Sequence, residues 1–170
     1  MKLLPIIITS LFLLITPCHA NILPLLQSKT SVTQNDECFV KRVVDGDTFV
    51  CADDTVVRLK GIDAPEKDQP FGLTSKTMLE QFALNRSVHL KGKTEDIYSR
   101  RIAVVWLGDQ NINLAMVQEG YAWDYTHYDK ANVYAAAQAD ALGHKRGLWK
   151  QEAIAPWEWR NAKKIAETKK

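Results

Sequence analysis

Three short strand-like runs with tight turns between them occupy the segment that follows Cys38, and they limit the fold more than any other feature. The runs are residues 39–44, 48–51 and 55–60, and the turns are Asp45-Gly46-Asp47 and Asp53-Asp54. Runs rich in valine and phenylalanine that are bounded by Asp and Gly are typical of β-hairpins. Gly61 follows the third run, where a glycine lets a strand end bend. The segment therefore predicts a curved antiparallel meander.

The rest of the chain adds helices and two more strands. Residues 73–84 carry an apolar stripe at helical spacing, and residues 113–118 and 130–142 also read as helices that end near glycines. Residues 88–90 and 102–106 read as strands, with a polar loop from Lys91 to Arg101 between them. Five strands with one inserted and two following helices predict an α+β fold with a mainly β core. We expect a five-stranded OB-type barrel with about three α-helices.

The amino terminus is typical of an export signal. Lys2 precedes an apolar run that ends at Ile15, and Cys18 and Ala20 are small residues at the −3 and −1 positions of a cleavage site. A membrane anchor is the alternative, but the run is shorter than the ~20 residues that a spanning helix needs. We expect a signal peptide over 1–20 that is cleaved after Ala20, and a mature protein that is secreted or periplasmic and not held in a membrane.

The mature chain divides into three parts by composition. Residues 21–37 lack periodicity and predict a flexible leader. Residues 38–160 hold all the strand and helix patterns and form the expected domain. Residues 161–170 read as a basic tail. Trp157 and Trp159, just before the tail, are expected to pack on the domain as aromatic anchors; binding a partner is the less favoured alternative.

Two cysteines remain after the signal is removed. Cys38 and Cys51 lie on either side of the first turn, thirteen residues apart. An even number of cysteines in an exported chain favours a disulfide, and across a hairpin the two side chains could face each other. Two buried free thiols are the alternative.

The net charge does not indicate a general attraction to nucleic acid. The chain has 22 basic and 20 acidic residues, whereas nucleic-acid-binding domains are usually more basic. Any attraction to phosphate must therefore come from a local surface or a bound metal.

Four carboxylates and two arginines are candidates for a catalytic site. Asp45 and Asp47 lie in the first turn, Asp63 and Glu66 follow the third run, and Arg58 and Arg100 lie in or beside strands; Arg100 is expected on a late strand across the barrel. Oxygen ligands of this kind suit a hard cation such as Ca²⁺, and zinc-site spacings are absent from the sequence. Guanidinium groups bind phosphate oxygens in a bidentate manner. A metal, a carboxylate base and two arginines are what phosphodiester hydrolysis requires.

The order of these residues resembles the successive signatures of the staphylococcal nuclease family. The matching segments run over nearly the whole mature chain, from Cys38 to Trp159, and they are Val43-Val44-Asp45-Gly46-Asp47-Thr48, Val57-Arg58-Leu59, Gly61-Ile62-Asp63-Ala64-Pro65-Glu66, Asp96-Ile97-Tyr98-Ser99-Arg100, residues 115–122 and Arg146-Gly147-Leu148-Trp149. This resemblance implies a Ca²⁺-dependent nuclease that cleaves DNA and RNA to products with 3′-phosphate ends. It also implies a monomer that prefers single-stranded substrates.

The resemblance implies a role for each site residue. Asp47, Asp63 and the carbonyl of Ala64 would bind Ca²⁺, and Asp45 would support the metal through water. Glu66 would be the general base. Arg58 and Arg100 would bind the phosphate and stabilise the transition state. Tyr98 would contact the terminal phosphate or sugar, and Tyr128, preferred over Tyr125, would stack on a base.

Several residues depart from the family pattern or remain outside it. Ala64 stands where the archetype has threonine, Ser99 replaces a glycine before Arg100, and the loop from Lys67 to Phe71 is shorter. Histidines 89, 127 and 144 lack a metal-binding spacing and are expected to be structural. A non-catalytic OB-fold module that binds nucleic acid is the alternative function. It is less favoured because the five residues expected to be essential are all present, namely Asp47, Arg58, Asp63, Glu66 and Arg100.

Overall fold

The computed structural model describes residues 36–125 and 133–169. Its strands are β1 Glu37–Val43, β2 Thr48–Cys51, β3 Val56–Leu59, β4 Ile62–Asp63, β5 Ser87–Glu95, β6 Arg101–Leu107, β7 Gln110–Asn111 and β8 Trp123–Asp124. Its helices are α1 Gly72–Ala83, α2 Ile112–Gln118, α3 Val133–Gly143 and α4 Pro156–Thr168, with a 3₁₀ turn at Gly147–Lys150. The predicted signal peptide and nearly all of the predicted leader lie outside the described residues.

Five of the strands close into a barrel, which confirms the predicted fold. They are hydrogen-bonded in the order β3-β2-β1-β5-β6, and β3 also pairs with β6. That last pairing is parallel and sets Arg58 beside Ile102, whereas the other pairs in the barrel are antiparallel. Since closure leaves no long unpaired edge, the barrel has the mixed topology of an OB-type fold.

The β5–β6 hairpin is longer than the sequence predicts. Residues 91–95 were expected in a loop but continue β5 as far as Glu95, and the polar residues there are mostly exposed. The pairing shifts register between Lys91 and Thr94, where Gly92 has a φ of 139°. The strand therefore continues past a β-bulge. Because its residues beyond Leu90 are polar, hydrophobic periodicity does not detect this part of the strand. The loop is thereby reduced to residues 96–100, beside the candidate site.

Helix α2 fastens the closed barrel through a buried asparagine. The Nδ2 of Asn113 donates to the carbonyl oxygens of Lys60 at 2.9 Å and Ala103 at 3.2 Å, and its Oδ1 accepts from the amide of Val105 at 2.9 Å. The residue is fully buried. These bonds link α2 to β6 and to the end of β3, so the parallel seam is held from the helix side as well.

The predicted disulfide is present. Cys38 on β1 and Cys51 on β2 are bonded, with their Cα atoms 5.5 Å apart. Both side chains belong to the buried core. The bond therefore connects the two arms of the hairpin that ends at the Asp45-Gly46-Asp47 turn.

The carboxyl-terminal residues form a fourth helix that the sequence analysis did not predict. Helix α4 begins at Pro156, a favoured first helical position, and continues into the residues read as a basic tail. Most of its side chains are exposed, and its charged residues led the segment to be read as a tail by composition alone. Within the described ranges, no helix is both long and apolar enough to cross a membrane.

Candidate active site

One cavity gathers nearly all the predicted site residues. It has a volume of about 820 Å³ and lies at the mouth of the barrel, where the first turn, the segment after β3 and the 96–100 loop meet. The predicted residues that line it are Asp45, Asp47, Arg58, Asp63, Ala64, Glu66, Tyr98 and Arg100. Residues that are more than fifty positions apart in the sequence, such as Asp45 and Arg100, thus line the same cavity.

The first turn is shaped by hydrogen bonds from its own side chains. The amide of Asp47 donates to Oδ1 of Asp45 at 3.0 Å, and the hydroxyl of Thr48 donates to Oδ1 of Asp47 at 2.9 Å. The amide of Ala64 donates to Oδ2 of Asp47 at 2.8 Å. Asp47 therefore ties the first turn to the segment after β4.

Gly46 is required by close packing and not by its backbone angles. A Cβ atom placed there would lie 2.0 Å from Oγ of Ser75 and 2.6 Å from Cβ of Ala64. The turn can approach α1 this closely only because the residue has no side chain. The Asp-Gly-Asp pattern indicates a turn residue at Gly46 but does not reveal this contact with Ser75 and Ala64.

Arg58 braces the acidic residues from below the cavity. Its Nε lies 3.0 Å from Oδ1 of Asp47, and its Nη2 donates to Oδ1 of Asp63 at 3.0 Å. Its Nη1 donates to the carbonyls of Leu59 at 2.6 Å and Ile62 at 2.8 Å. Three of the five N–H groups of this guanidinium thus donate to protein oxygens, and its Nε forms an ion pair with Asp47. Arg58 is consequently a structural member of the site as well as a positive charge in it.

Asp96 holds Arg100 at the opposite lip of the cavity. Oδ1 of Asp96 accepts from the amides of Tyr98 at 2.9 Å and Arg100 at 3.0 Å, and Nε and Nη2 of Arg100 both lie 2.7 Å from Oδ2. Although partial burial opposes it, these bonds lower the pKa of Asp96. The loop shape is thus fixed by a carboxylate that was quoted only as part of a motif.

Ser99 and Tyr98 complete this loop. Ser99 has a φ of 58°, a left-handed conformation that glycine adopts without strain, which explains why the family pattern has glycine there. Tyr98 is 73% exposed, and the Arg100 guanidinium carbon lies 5.4 Å from the centroid of its ring. An exposed ring beside an arginine is suited to contact a nucleotide.

The expected position of one arginine needs correction. Arg100 was expected on a late strand across the barrel; it precedes β6, which is the hydrogen-bonded neighbour of β3, so the two arginine-bearing segments lie side by side. The side chain of the next residue, Arg101, is only 2% exposed. It donates to the carbonyl of Gly92 at 2.7 Å and forms an ion pair with Asp36 at 2.8 Å.

Arg160 is a site residue that the sequence analysis missed. It comes from α4, and its Nη1 donates to Oε1 of Glu66 at 2.7 Å while its Nη2 donates to Oδ2 of Asp63 at 2.8 Å. The hydrogen bond with Asp63 raises the pKa of Arg160 further above its ordinary value. A single arginine in a charged helix has no motif around it, and no signal in the sequence could have identified it.

Burial and the proximity of other carboxylates raise the pKa of two of the acidic side chains. Burial, and then the charge of Asp47, raises the pKa of Asp45 to about 7. Burial also raises the pKa of Asp63, against the effect of the bond from Arg160. Crowded, partly dehydrated carboxylates of this kind are stabilised by a nearby cation.

The donor set suits a hard cation, although arginines now lie between the carboxylates. Asp45, Asp47, Asp63 and the carbonyl of Ala64 offer only oxygen atoms, the ligands that Ca²⁺ prefers. In the part of the chain that is described, no three acidic, histidine or cysteine side chains converge closely enough to hold a metal. Arg58 and Arg160 occupy the space between these carboxylates. A cation would therefore have to take the place of Arg160 on Asp63.

Of the two tyrosines considered for stacking on a base, the structure describes one. Tyr128 lies outside the described residues. Tyr125, which was considered as its alternative, lines the cavity and packs against Trp157 with ring centroids 5.7 Å apart. Trp157 thus packs on the domain in the manner expected of the aromatic tail. His89 and His144 contact Glu37 and Asp140, respectively, and neither lines the cavity.

Comparison with known proteins agrees with this geometry. The sequence profile of the family described as "Staphylococcal nuclease homologue" matches residues 56–151, more than half of the chain. A protein of Haemophilus influenzae described as an uncharacterized endonuclease is 38% identical over 165 residues, covering 94% of this chain and 87% of its own. The micrococcal nuclease of Shigella flexneri is 38% identical over 143 residues, covering 75% and 82%. The chain therefore belongs to the staphylococcal nuclease family.

Proposed function

We propose that this protein is a Ca²⁺-dependent nuclease that hydrolyses phosphodiester bonds of DNA and RNA and leaves 3′-phosphate ends. The observation that carries the proposal is that one cavity is lined by Glu66 as the base, by further carboxylates that can bind a metal, and by three arginines, Arg58, Arg100 and Arg160. Membership of a nuclease family and relatives named endonuclease and micrococcal nuclease support a hydrolytic reaction.

The chemical step is assigned to three side chains. Glu66 accepts a proton from a water molecule whose oxygen attacks phosphorus, the P–O5′ bond breaks, and the leaving oxygen is released as a 5′-hydroxyl after protonation by solvent. Arg100, at the lip of the cavity, binds the non-bridging oxygens of the phosphate. Arg58 adds its charge beneath them. Both guanidinium groups offset the negative charge that grows in the transition state.

The metal is assigned to the acidic side of the cavity. Asp47, Asp63 and the carbonyl of Ala64 would hold Ca²⁺, with Asp45 acting through water. When bound, the ion supplies Lewis-acid polarisation of the phosphate. Because the chain carries only two more basic than acidic residues, we expect the substrate to be attracted by this local site and not by the overall charge.

The substrate contacts beyond the phosphate are assigned to aromatic rings. Tyr98 stands exposed at the rim and would contact the terminal phosphate or sugar, and Tyr128 would stack on a base. Rings stack on unpaired bases more readily than on paired ones, so single strands are the expected preference. We also propose that the enzyme is exported through its amino-terminal signal, to the periplasm or the medium, and acts as a monomer.

The first test is cleavage of single-stranded DNA by the purified protein in CaCl₂ or in EGTA, followed by analysis of the ends. We expect cleavage in calcium alone, with 3′-phosphate products. A folded, calcium-loaded protein that binds DNA without cutting it would instead support the non-catalytic module. Cleavage that continues in EGTA would contradict the metal assignment.

Variants of the base and the phosphate-binding arginine test the mechanism. Glu66→Gln and Arg100→Ala should each lower turnover by a factor of about 10³ or more and leave the fold intact. Far-ultraviolet circular dichroism and the urea midpoint provide the control. Turnover at the parent rate in either variant would contradict the role assigned to that residue.

A further inference from the structure

Glu66 depends on a residue far away in the chain for its side-chain position. Its backbone amide donates a hydrogen bond to Oε1 of Gln69 at 3.1 Å. Among residues 36–125 and 133–169, it is Arg160 that donates a hydrogen bond to the Glu66 carboxylate. A proposed base on a loop needs a fixed orientation, since catalysis is sensitive to small displacements of the reacting groups.

Arg160 bridges Glu66 and Asp63 with one guanidinium group. Nη1 lies 2.7 Å from Oε1 of Glu66 and 3.3 Å from Oδ1 of Asp63, and Nη2 lies 2.8 Å from Oδ2 of Asp63. The planar fork therefore sets the separation between the two carboxylates. A lysine could bond one of them but could not span both in the same way.

Independent contacts hold α4 over the cavity. Nε2 of Gln69 donates to the carbonyl of Ile154 at 2.6 Å, just before the helix, and Lys163 forms an ion pair with Asp68 at 2.6 Å. Trp157 packs on Tyr125. Since these contacts do not involve Arg160, the helix has an anchorage of its own and presents the guanidinium to the site.

We propose that Arg160 is a positioning residue of the nuclease site, which orients the Glu66 carboxylate through the Nη1 hydrogen bond. The inference rests on the proposed role of Glu66 as the base. It extends the active site to α4, which lies beyond the residues matched by the family profile. A cation on Asp63 would compete with the Nη2 bond, so the orientation of Glu66 is assigned to the Nη1 bond alone.

Steady-state kinetics of Arg160→Ala, Arg160→Lys and Lys163→Ala test this role. Arg160→Ala should lower kcat by about 10- to 100-fold with KM changed less than about twofold, because only the orientation of the base is lost. Arg160→Lys should recover part of the loss. Lys163→Ala removes the other ion pair of α4 without touching Glu66, and it should keep kcat within about twofold of the parent.

The outcomes that overturn the proposal are distinct. A rise in KM with unchanged kcat for Arg160→Ala would make Arg160 a substrate-binding residue. Equal losses in Arg160→Ala and Lys163→Ala would mean that docking of α4, and not the guanidinium, matters. Full activity in Arg160→Lys would show that charge alone is sufficient and that the bridge is not needed.

A double variant separates this inference from the proposed function. In the Glu66→Gln background, Arg160→Ala should cause little further loss, because the group it positions has already been removed. If the two losses multiply, Arg160 acts independently of Glu66 and the inference fails. If Glu66→Gln itself has the parent rate, the proposed base is wrong. If Glu66→Gln is inactive while Arg160→Ala is fully active, only the present inference fails.

Calcium binding gives a measurement that does not depend on cleavage. Isothermal titration of each variant with CaCl₂ should show that Arg160→Ala binds Ca²⁺ at least as tightly as the parent, because a positive charge beside Asp63 is removed. Binding weakened in proportion to kcat would show that Arg160 builds the metal site, and it would overturn the positioning role.

Discussion

Arg100 and Arg101 are adjacent in the chain, yet the side chain of the first is 31% exposed at the cavity and that of the second is 2% exposed. The difference follows from position, because Arg101 is the first residue of β6, whereas Arg100 still belongs to the 96–100 loop that Asp96 holds. Arg100 meets Asp96 at the lip of the site. Arg101 is enclosed between β5 and Asp36 and donates to backbone carbonyls there.

We expect substitutions of Arg100 and Arg101 to affect different properties, cleavage in the first case and stability in the second. Arg101→Ala should lower the free energy of unfolding by about 2–3 kcal/mol, because buried carbonyls lose their donor and a cavity opens. Arg100→Ala should change it by less than about 1 kcal/mol and abolish most cleavage. Urea unfolding and DNA cleavage of both variants measure the two effects. Equal unfolding midpoints would contradict the structural role of Arg101.

Gly46 predicts a steric effect of a single methyl group. Gly46→Ala should destabilise the protein by about 1–3 kcal/mol and slow cleavage, because the new Cβ pushes the first turn away from α1 and Ala64. Gly143→Ala is the matched control, since a Cβ there would meet nothing within 4 Å. The control should be neutral or slightly stabilising in the same urea titration. A neutral Gly46→Ala would show that the turn does not need this close approach.

The Cys38–Cys51 bond predicts a redox-dependent stability. Reduction, or the Cys38→Ala/Cys51→Ala double variant, should lower the free energy of unfolding by about 3 kcal/mol, because the bond restricts the unfolded chain over a loop of thirteen residues. The measurement is urea unfolding with and without dithiothreitol. The double variant should be indifferent to the reductant. A parent protein whose titrated thiols are free but whose midpoint is unchanged would contradict the prediction.

Asp45 predicts a pH dependence of the metal-free protein. A carboxyl whose pKa is raised to about 7 in the folded state binds more protons folded than unfolded. Its contribution is fully present below the unfolded pKa, near 4, and is lost as the pH rises through 7. Asp45→Asn has no such titration and should gain stability relative to the parent between pH 4 and pH 7.

The comparison must be made in EGTA, because a bound cation would favour the ionised carboxylate. Urea unfolding of both proteins at several pH values gives the difference in the free energy of unfolding. That difference should grow with pH and level off above pH 7. A constant difference from pH 4 to pH 8 would show that Asp45 is not strained by burial and by Asp47.

The predicted residues that the structure brings into one cavity belong to local motifs, and those that were missed depend on distant neighbours. Asp47, Arg58 and Asp63 lie next to strand and turn signals, so their order in the sequence was sufficient to place them in one cavity. The buried position of Arg101 depends on Gly92 and Asp36, and the packing of Gly46 depends on Ser75. Such contacts cannot be inferred from the residues on either side in the sequence.

The two segments whose extent was misjudged share a different cause. Residues 91–95 and helix α4 are both polar and largely exposed, and a search for buried faces reads such segments as loop or tail. Residues 91–95 are held by backbone pairing with β6, and α4 is held by its own helical hydrogen bonds and by ion pairs with Asp63, Glu66 and Asp68. Arg160 was missed for the same reason, since its function depends on where α4 docks.

The parallel pairing of β3 with β6 has a consequence for folding. The barrel is closed by the pairing of Arg58 with Ile102, two residues that are far apart in the chain, and pairings of this kind are expected to form late because loop closure opposes them. A partly folded chain can therefore hold its first hairpin and its helices while Arg58 and Arg100 are still apart. During refolding, the recovery of cleavage should lag behind the recovery of helical circular dichroism. The rate at which activity returns would then measure the rate at which the barrel closes.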